Sequence, residues 1–164
     1  MAGGAVDYFL KLNGIEGESA DSKHKAEIDV ESWSFGVSQG GSFSSGGGGG
    51  AGKAVAQDFH FVMKISKATP KLLDACCTGK HIPDGTLTCR KAGGGQQEFL
   101  KIKFTDLLVS SIQDGGSGGS DVIPMQQISL NFAKIQYDYA EQNKDGSLGA
   151  AASAGYDFKK NEKA

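Results

Sequence analysis

Glu27-Ile28-Asp29-Val30-Glu31-Ser32-Trp33-Ser34-Phe35-Gly36-Val37-Ser38-Gln39 contains two alternating patterns that run out of phase. From Glu27 to Glu31 charged and apolar residues alternate, which puts Ile28 and Val30 on one face of a strand and three carboxylates on the other. At Trp33 the phase slips. Trp33, Phe35 and Val37 have the parity of the carboxylates, while Ser32, Ser34 and Gly36 continue the other row. Two burial environments therefore meet along one stretch, and this predicts a bulge or a strand that leaves one sheet for another, with Gly36 as the easiest place to bend. A chain built this way is a β-barrel or β-sandwich.

Working outward, Tyr8-Phe9-Leu10-Lys11-Leu12 reads as a first strand closed by the Asn13-Gly14 turn signal, and residues 16–25 as a polar surface loop. Residues 40–52 form a connection unusually long for a compact domain, with Phe43 and Ala51 almost its only apolar residues. Residues 54–64 alternate again, with Val55, Gln57, Phe59, Phe61 and Met63 on one face and Ala56, Asp58, His60 and Lys64 on the other. Residues 66–78 predict the single helix, capped by Thr69, with Pro70 at its first position, an apolar stripe of Leu72, Leu73, Cys76 and Cys77, and Gly79 as its stop. Strands are expected over 86–91, 99–112 and 128–139, a loop over 143–153, and a short closing strand at Tyr156-Asp157-Phe158. In 99–112 the row Leu100, Ile102, Phe104, Leu108, Ile112 is broken by Asp106, with Leu107 and Val109 opposite, which points to a bend or two-sided burial. The phase also changes between Phe132 and Ile135.

At 164 residues the chain fits one domain, residues 1–164, that buries about 70% of its unfolded surface. Twenty-five glycines and three prolines mark a turn-rich protein, and a net charge of -2 with Lys159-Lys160 as its only short basic run argues against nucleic acid as a partner. Cys76, Cys77 and Cys89 cannot all pair internally, which suits a reducing compartment. The first residues have neither a basic nor an apolar leader region, and no stretch has transmembrane length, so membrane insertion and a Sec-type signal are not expected.

No cofactor, metal or catalytic site is predicted. Gly47 to Ala54 approaches a phosphate-binding loop, but Ala54 lacks the magnesium-binding hydroxyl and a strand, not a helix, follows. His24, His60 and His81 show no ligand spacing and read as solvated surface histidines, and Cys76 and Cys77 as small packing residues. Glu27, Asp29 and Glu31 lie on one strand face close enough to repel, which requires cationic partners, with Lys101 and Lys103 as candidates, or raises their pKa values as in a carboxylate hydrolase. The Ser32, Ser34, Gly36 row either lines a solvent-filled lumen or is an ordinary exposed sheet surface. Phase switching in three strands leaves more apolar faces than one core needs, and burial between subunits accommodates the surplus.

Ala5 to Leu12, Gly14 to Ser19 and His24 to Gln39, with the hallmark segments Glu27-Ile28-Asp29-Val30 and Ser32-Trp33-Ser34, resemble the haemolysin-coregulated protein (Hcp) family. The likeness continues through Gly46 to Lys53, Thr69-Pro70, Gly79-Lys80-His81, Arg90-Lys91-Ala92-Gly93 and Val109-Ser110-Ser111, nearly the whole chain. The resemblance implies a mainly β fold: a small β-barrel of two antiparallel sheets with one flanking α-helix and a long extended loop. It implies homohexameric rings that stack into the inner tube of the type VI secretion system. Such a tube is assembled in the bacterial cytoplasm within a sheath, works with spike and effector proteins, and is ejected. On this reading Gly41, Ser42, Phe43, Ser44, Ser45, Gly46, Gly49 and Lys53 belong to a ring-stacking arm, and Ser32 and Ser34 to a lumen wall that carries effectors. The competing expectation is a small cytosolic carboxylate-based hydrolase or effector.

Overall fold

In the computed structural model, which describes residues 6–41, 52–91, 95–119 and 122–164, the phase slip is a change of partner. The elements in order are β1 (Val6–Leu12), β2 (Ile28–Val30), β3 (Ser32–Ser34), β4 (Val37–Gln39), β5 (Ala54–Ala56), β6 (Phe59–Lys64), α1 (Ala68–Thr78), β7 (His81–Lys91), β8 (Glu98–Gly115), β9 (Met125–Gln142), β10 (Leu148–Asp157) and β11 (Glu162–Lys163). Every pairing is antiparallel. Strand β2 pairs with β1, whereas β3, two residues later, pairs with β6. Between them the Glu31 N–H donates to the Val62 carbonyl at 2.8 Å. Beyond Gly36 the chain changes partner again, and β4 and β5 form a separate two-stranded ribbon.

Nine strands share one sheet, in the path β11-β10-β9-β8-β7-β1-β2, with β6 joined to β9 and β3 to β6. The expected barrel is thus an open, curled sheet: the ladders do not close, and the β2–β3 segment spans from one edge to the other. The two long strands make the curl possible. Along β9, residues 125–130 lie between β6 and β8, and residues 134–139 between β8 and β10. At the handover Asp106 adopts φ 56°, a left-handed conformation that a short polar side chain tolerates. There the buried row of β8 passes from Leu100, Ile102 and Phe104 to Leu107 and Val109. The bend is as expected, but Leu107 is buried and Leu108, 38% exposed, is not.

Aromatic rings fill the curl. Phe59 is fully buried, 4.9 Å from Phe104 and 6.1 Å from Trp33 between ring centres, and Phe104 lies 5.0 Å from Phe132. Offset and tilted pairs of this kind add about 0.5–1.5 kcal/mol each beyond their area burial. The helix adds Ala68, Leu72 and Ala75 to the same core and packs on β8. Only Leu72 of the expected stripe is buried, because the inward row follows i, i+4, i+7 from Ala68; Leu73 and Cys77 face solvent and Cys76 is half-buried. The cap also differs. Thr69 lies inside the first turn, accepting the Ser66 N–H at 3.0 Å and donating to Gln126 Oε1 at 3.2 Å, and Ser66 Oγ accepts the Ala68 N–H. Gly79, at φ 65°, ends the helix.

Two elements differ from their sequence reading for the same reason. Residues 54–64 are two strands in different sheets, and Leu148–Asp157 is a strand where a loop was expected over 143–153. In both cases the partner strand decides. Gly149-Ala150-Ala151-Ala152-Ser153 has little β preference of its own but lies beside β9, and the closing strand is β11 rather than Tyr156 to Phe158 alone.

Candidate functional site

Ser32 and Ser34 stand exposed on β3, and the register extends their row across three more strands. Ser34 faces His60, His60 faces Ser129 and Ser129 faces Ser111; one step along, Ser32 faces Val62, Val62 faces Gln127 and Gln127 faces Gln113. These side chains line an open depression of about 480 Å3. Its lining holds no carboxylate, ammonium or guanidinium, and its polar groups are hydroxyls, amides and one imidazole. Under this face Phe61 and Ile128 are buried, so the sheet is apolar on one side and neutral-polar on the other.

His60 Nδ1 and Ser129 Oγ share a 2.6 Å hydrogen bond, the kind of contact a nucleophile makes with its base. The surroundings do not complete such a site. No carboxylate lines the depression to orient the imidazole, and the strands that carry the pair are laddered to each other through their backbones. This geometry offers hydrogen bonds to a passing surface. The sequence pattern contained the signal for this face, since Ser111 and Gln113 flank Ile112, and Gln127 and Ser129 flank Ile128. Alternation groups His60 with Asp58 and Lys64, and only the register joins it to Ser34.

The three carboxylates do not form one constellation. Glu27 accepts from His24 Nδ1 at 2.9 Å, Glu31 lies 3.7 Å from Lys64 Nζ, and Asp29 stands alone of the three in an acidic neighbourhood. Burial first, then the charges of Asp7, Glu31, Asp21 and Glu18, push its carboxyl above the ordinary range. Lys101 pairs with Glu98 and not with this row, because β8 is separated from β2 by β7 and β1. His24 is no surface histidine: it is buried, stacked 4.4 Å from Phe9, and bridges Glu27 and Glu98.

That histidine belongs to a clamp that sequence reading missed. Residues 16–25 lie over the outer face of β1 and β7 instead of standing off as a surface loop. Arg90, 2% exposed, donates to Asp21 at 2.6 and 3.0 Å and to Asp7 at 3.3 Å, and its guanidinium lies over the Phe9 ring. Hydrogen bonds from Arg90 and from the Lys23 backbone hold the Asp21 carboxyl well below the usual carboxylate range. Alternation alone marks Phe9 as outward-facing, and nothing local shows that a distant loop will cover it. Burial pushes the Cys89 thiol up to about 12, which makes it a poor nucleophile. His81 forms an exposed pair with Asp106 at 2.8 Å, and among the described residues no group of His, Cys, Asp and Glu is arranged to hold a metal.

Of the expected arm, Gly41 and Lys53 are described, while Ser42, Phe43, Ser44, Ser45, Gly46 and Gly49 lie outside the described residues. The described residues on either side of the expected arm form the β4–β5 ribbon, closed so tightly that a Cβ on Gly52 would run into the Gly40 carbonyl. Gly41 lies two residues after β4 and Lys53 directly before β5.

Residues 9–139 match the family model described as type VI secretion system effector, Hcp. Over 162 residues, 98% of this chain and 99% of the relative, the chain is 48% identical to protein hcp1 of Pseudomonas aeruginosa. The fold matches the crystal structure of Hcp1 from Salmonella typhimurium with a TM-score of 0.83 at 38% identity, covering 98% of this chain and 99% of that one. It matches a structure of a type six secretion system protein with a TM-score of 0.92 at 29% identity, covering 98% and 100%.

Proposed function

The chain belongs to the Hcp family of the type VI secretion system, where it is a tube protein, and on that premise we propose that six copies close into a ring whose lumen is lined by the Ser32–Ser34 face. The observation that carries this reading is the neutral-polar depression across β3, β6, β9 and β8. A lumen lined by hydroxyls, amides and one imidazole, with no carboxylate, ammonium or guanidinium in this lining, offers hydrogen bonds to a passing protein without a strong preference for the sign of its surface charge. Rings then stack into a tube within the sheath, behind the spike, and carry effectors. The tube forms in the cytoplasm and is ejected. No helix among the described residues is long and apolar enough to cross a membrane.

The carboxylate-hydrolase reading loses its support, since Glu27 is bound to buried His24, Glu31 faces Lys64, and among the described residues no hydrogen-bonded base, acid or nucleophile accompanies Asp29. The lumen assignment is tested by labelling. In a Cys77→Ser background, Ser34→Cys coupled to a small gold cluster should put density inside the central hole of end-on rings. Density on the ring's outer rim would overturn it.

A further inference from the structure

His60 is the one titratable side chain in the lining of the depression across β3, β6, β9 and β8. It stands exposed in the middle of the row, with Ser34 opposite it on β3, Ser129 opposite it on β9, and Ser111 beyond Ser129 on β8. Its Nδ1 lies 2.6 Å from Ser129 Oγ, and among the described residues its Nε2 has no hydrogen-bond partner. One ring nitrogen is thus anchored to the sheet, and the other is free to meet a molecule in the depression.

The strands on either side bring no charge to this imidazole, since none of the residues that line the depression from β3, β9 or β8 is titratable. The nearest charges on the face belong to its own segment: Asp58 two residues before it and Lys64 four residues after it, about 7 and about 13 Å away at the usual strand rise. Both are already engaged. Asp58 accepts from Ser110 Oγ at 2.6 Å and from Asn131 Nδ2 at 3.0 Å, and Lys64 reaches Glu31 at 3.7 Å. A proton taken up by His60 therefore meets no ion-pair partner within the chain. It turns the depression from uncharged to cationic, and it makes both ring nitrogens donors, Nδ1–H toward Ser129 and Nε2–H outward.

We infer that His60 determines the charge selectivity of the lumen, and that its protonation makes the ring prefer cargo with an acidic surface. The inference rests on the lumen reading above and adds to it a class of cargo and the side chain that selects it. In a ring of six copies, neutral imidazoles leave hydrogen bonding as the attraction offered to a passing protein. Six imidazolium groups facing one enclosed space form a cationic girdle instead. A segment rich in Asp and Glu then gains charge-assisted hydrogen bonds from Nε2–H, and a segment rich in Lys is repelled.

The test uses assembled rings of the full chain with rhodamine-labelled hexaglutamate and hexalysine peptides as probes. Binding is read by fluorescence anisotropy at about pH 8 and about pH 5.5, an interval in which imidazoles as a class change charge while glutamate and lysine side chains keep theirs. Light scattering in each buffer establishes that the binding species is the ring. Acidification should tighten hexaglutamate binding about ten-fold and weaken hexalysine binding. His60→Gln, which keeps a neutral hydrogen-bonding side chain, should hold the ring mass and bind hexaglutamate equally at both pH values. Equal binding by the unsubstituted ring at both, or a pH response that survives in His60→Gln, overturns the inference. His81→Gln removes an exposed imidazole outside the depression and should leave the response intact; its loss there also overturns the inference. Hexaglutamate carrying a small gold cluster, imaged on end-on rings at the lower pH, should put density in the central hole. Density on the outer rim overturns the lumen reading and the cargo claim with it, whereas a missing pH response leaves the lumen reading standing and overturns the role of His60 alone.

Discussion

Phe59→Ala removes a fully buried ring of β6 that packs on Phe104 of β8, and the structure sets the size of the effect. The ring centre lies 4.9 Å from Phe104, 5.9 Å from Phe61 and 6.1 Å from Trp33, so the truncation leaves a cavity walled by three aromatic residues. Buried Phe-to-Ala changes cost about 3–5 kcal/mol, and a site held by laddered strands on both sides collapses poorly, which places this one in the upper part of that range. For a chain of 164 residues each kcal/mol moves the midpoint by about 2–4 °C, so a loss of about 4–5 kcal/mol lowers it by about 8–20 °C. Trp33, the only tryptophan, belongs to the same cluster, and urea unfolding followed by its fluorescence reports the site directly. Measurements belong at one chain concentration, because assembly raises apparent stability by mass action. Leu73→Ala, on the solvent face of the helix, is the control and should stay within about 0.5 kcal/mol. A loss below about 1 kcal/mol with native Trp33 emission would refute the view that this cluster joins the layers of the curled sheet.

Gly85→Val should destabilise by about 1–3 kcal/mol in the same assay, since a Cβ there lies 2.8 Å from Leu12 Cδ2 and 3.1 Å from Leu107 Cδ1; an unchanged midpoint would contradict that packing. Asp21 has a folded pKa below its unfolded one, so its stabilisation is complete at neutral pH, begins to fall as pH drops into the ordinary carboxylate range, and is gone only below that range, at the folded pKa. The stability gap between the unsubstituted chain and Asp21→Asn should therefore narrow on acidification, and a constant gap would contradict the Arg90 pairing. Asp29 has the opposite sign: its folded pKa is raised, so its favourable contribution is present at low pH and lost as pH rises through the folded value. Asp29→Asn should raise the urea midpoint of unstacked rings at neutral pH, and a lowered midpoint would show that the carboxylate has a cationic partner.

Local alternation was enough to identify the strands and the change of partner in the β2–β3 segment. Ile28 and Val30 against Trp33 and Phe35 is a change of burial side that two phases of one stretch can express. What alternation cannot express is which strand comes to lie alongside. The neutral face needed the register that joins Ser34 to His60, Ser129 and Ser111. The Arg90 clamp depends on contacts across 69 and 83 residues, so His24 and Asp21 read as solvated until the loop is seen on Phe9. Strand β10 shows the same limit from the other side, because its Ala-rich run is a strand only through the presence of β9. The helix starts at Ala68 with Lys67 at the cap position and no side-chain cap bond, while the Ser66 and Thr69 hydroxyls bond within the turn that leads into it.

The central claim is the ring, and the most direct measurement is the native mass of the purified chain by light scattering, with negative-stain images of the same peak. A single species near six times the 17.1 kDa of one chain, seen end-on as open rings, is the predicted result. A stable monomer, with the Ser32–Ser34 face open to bulk solvent, would contradict it.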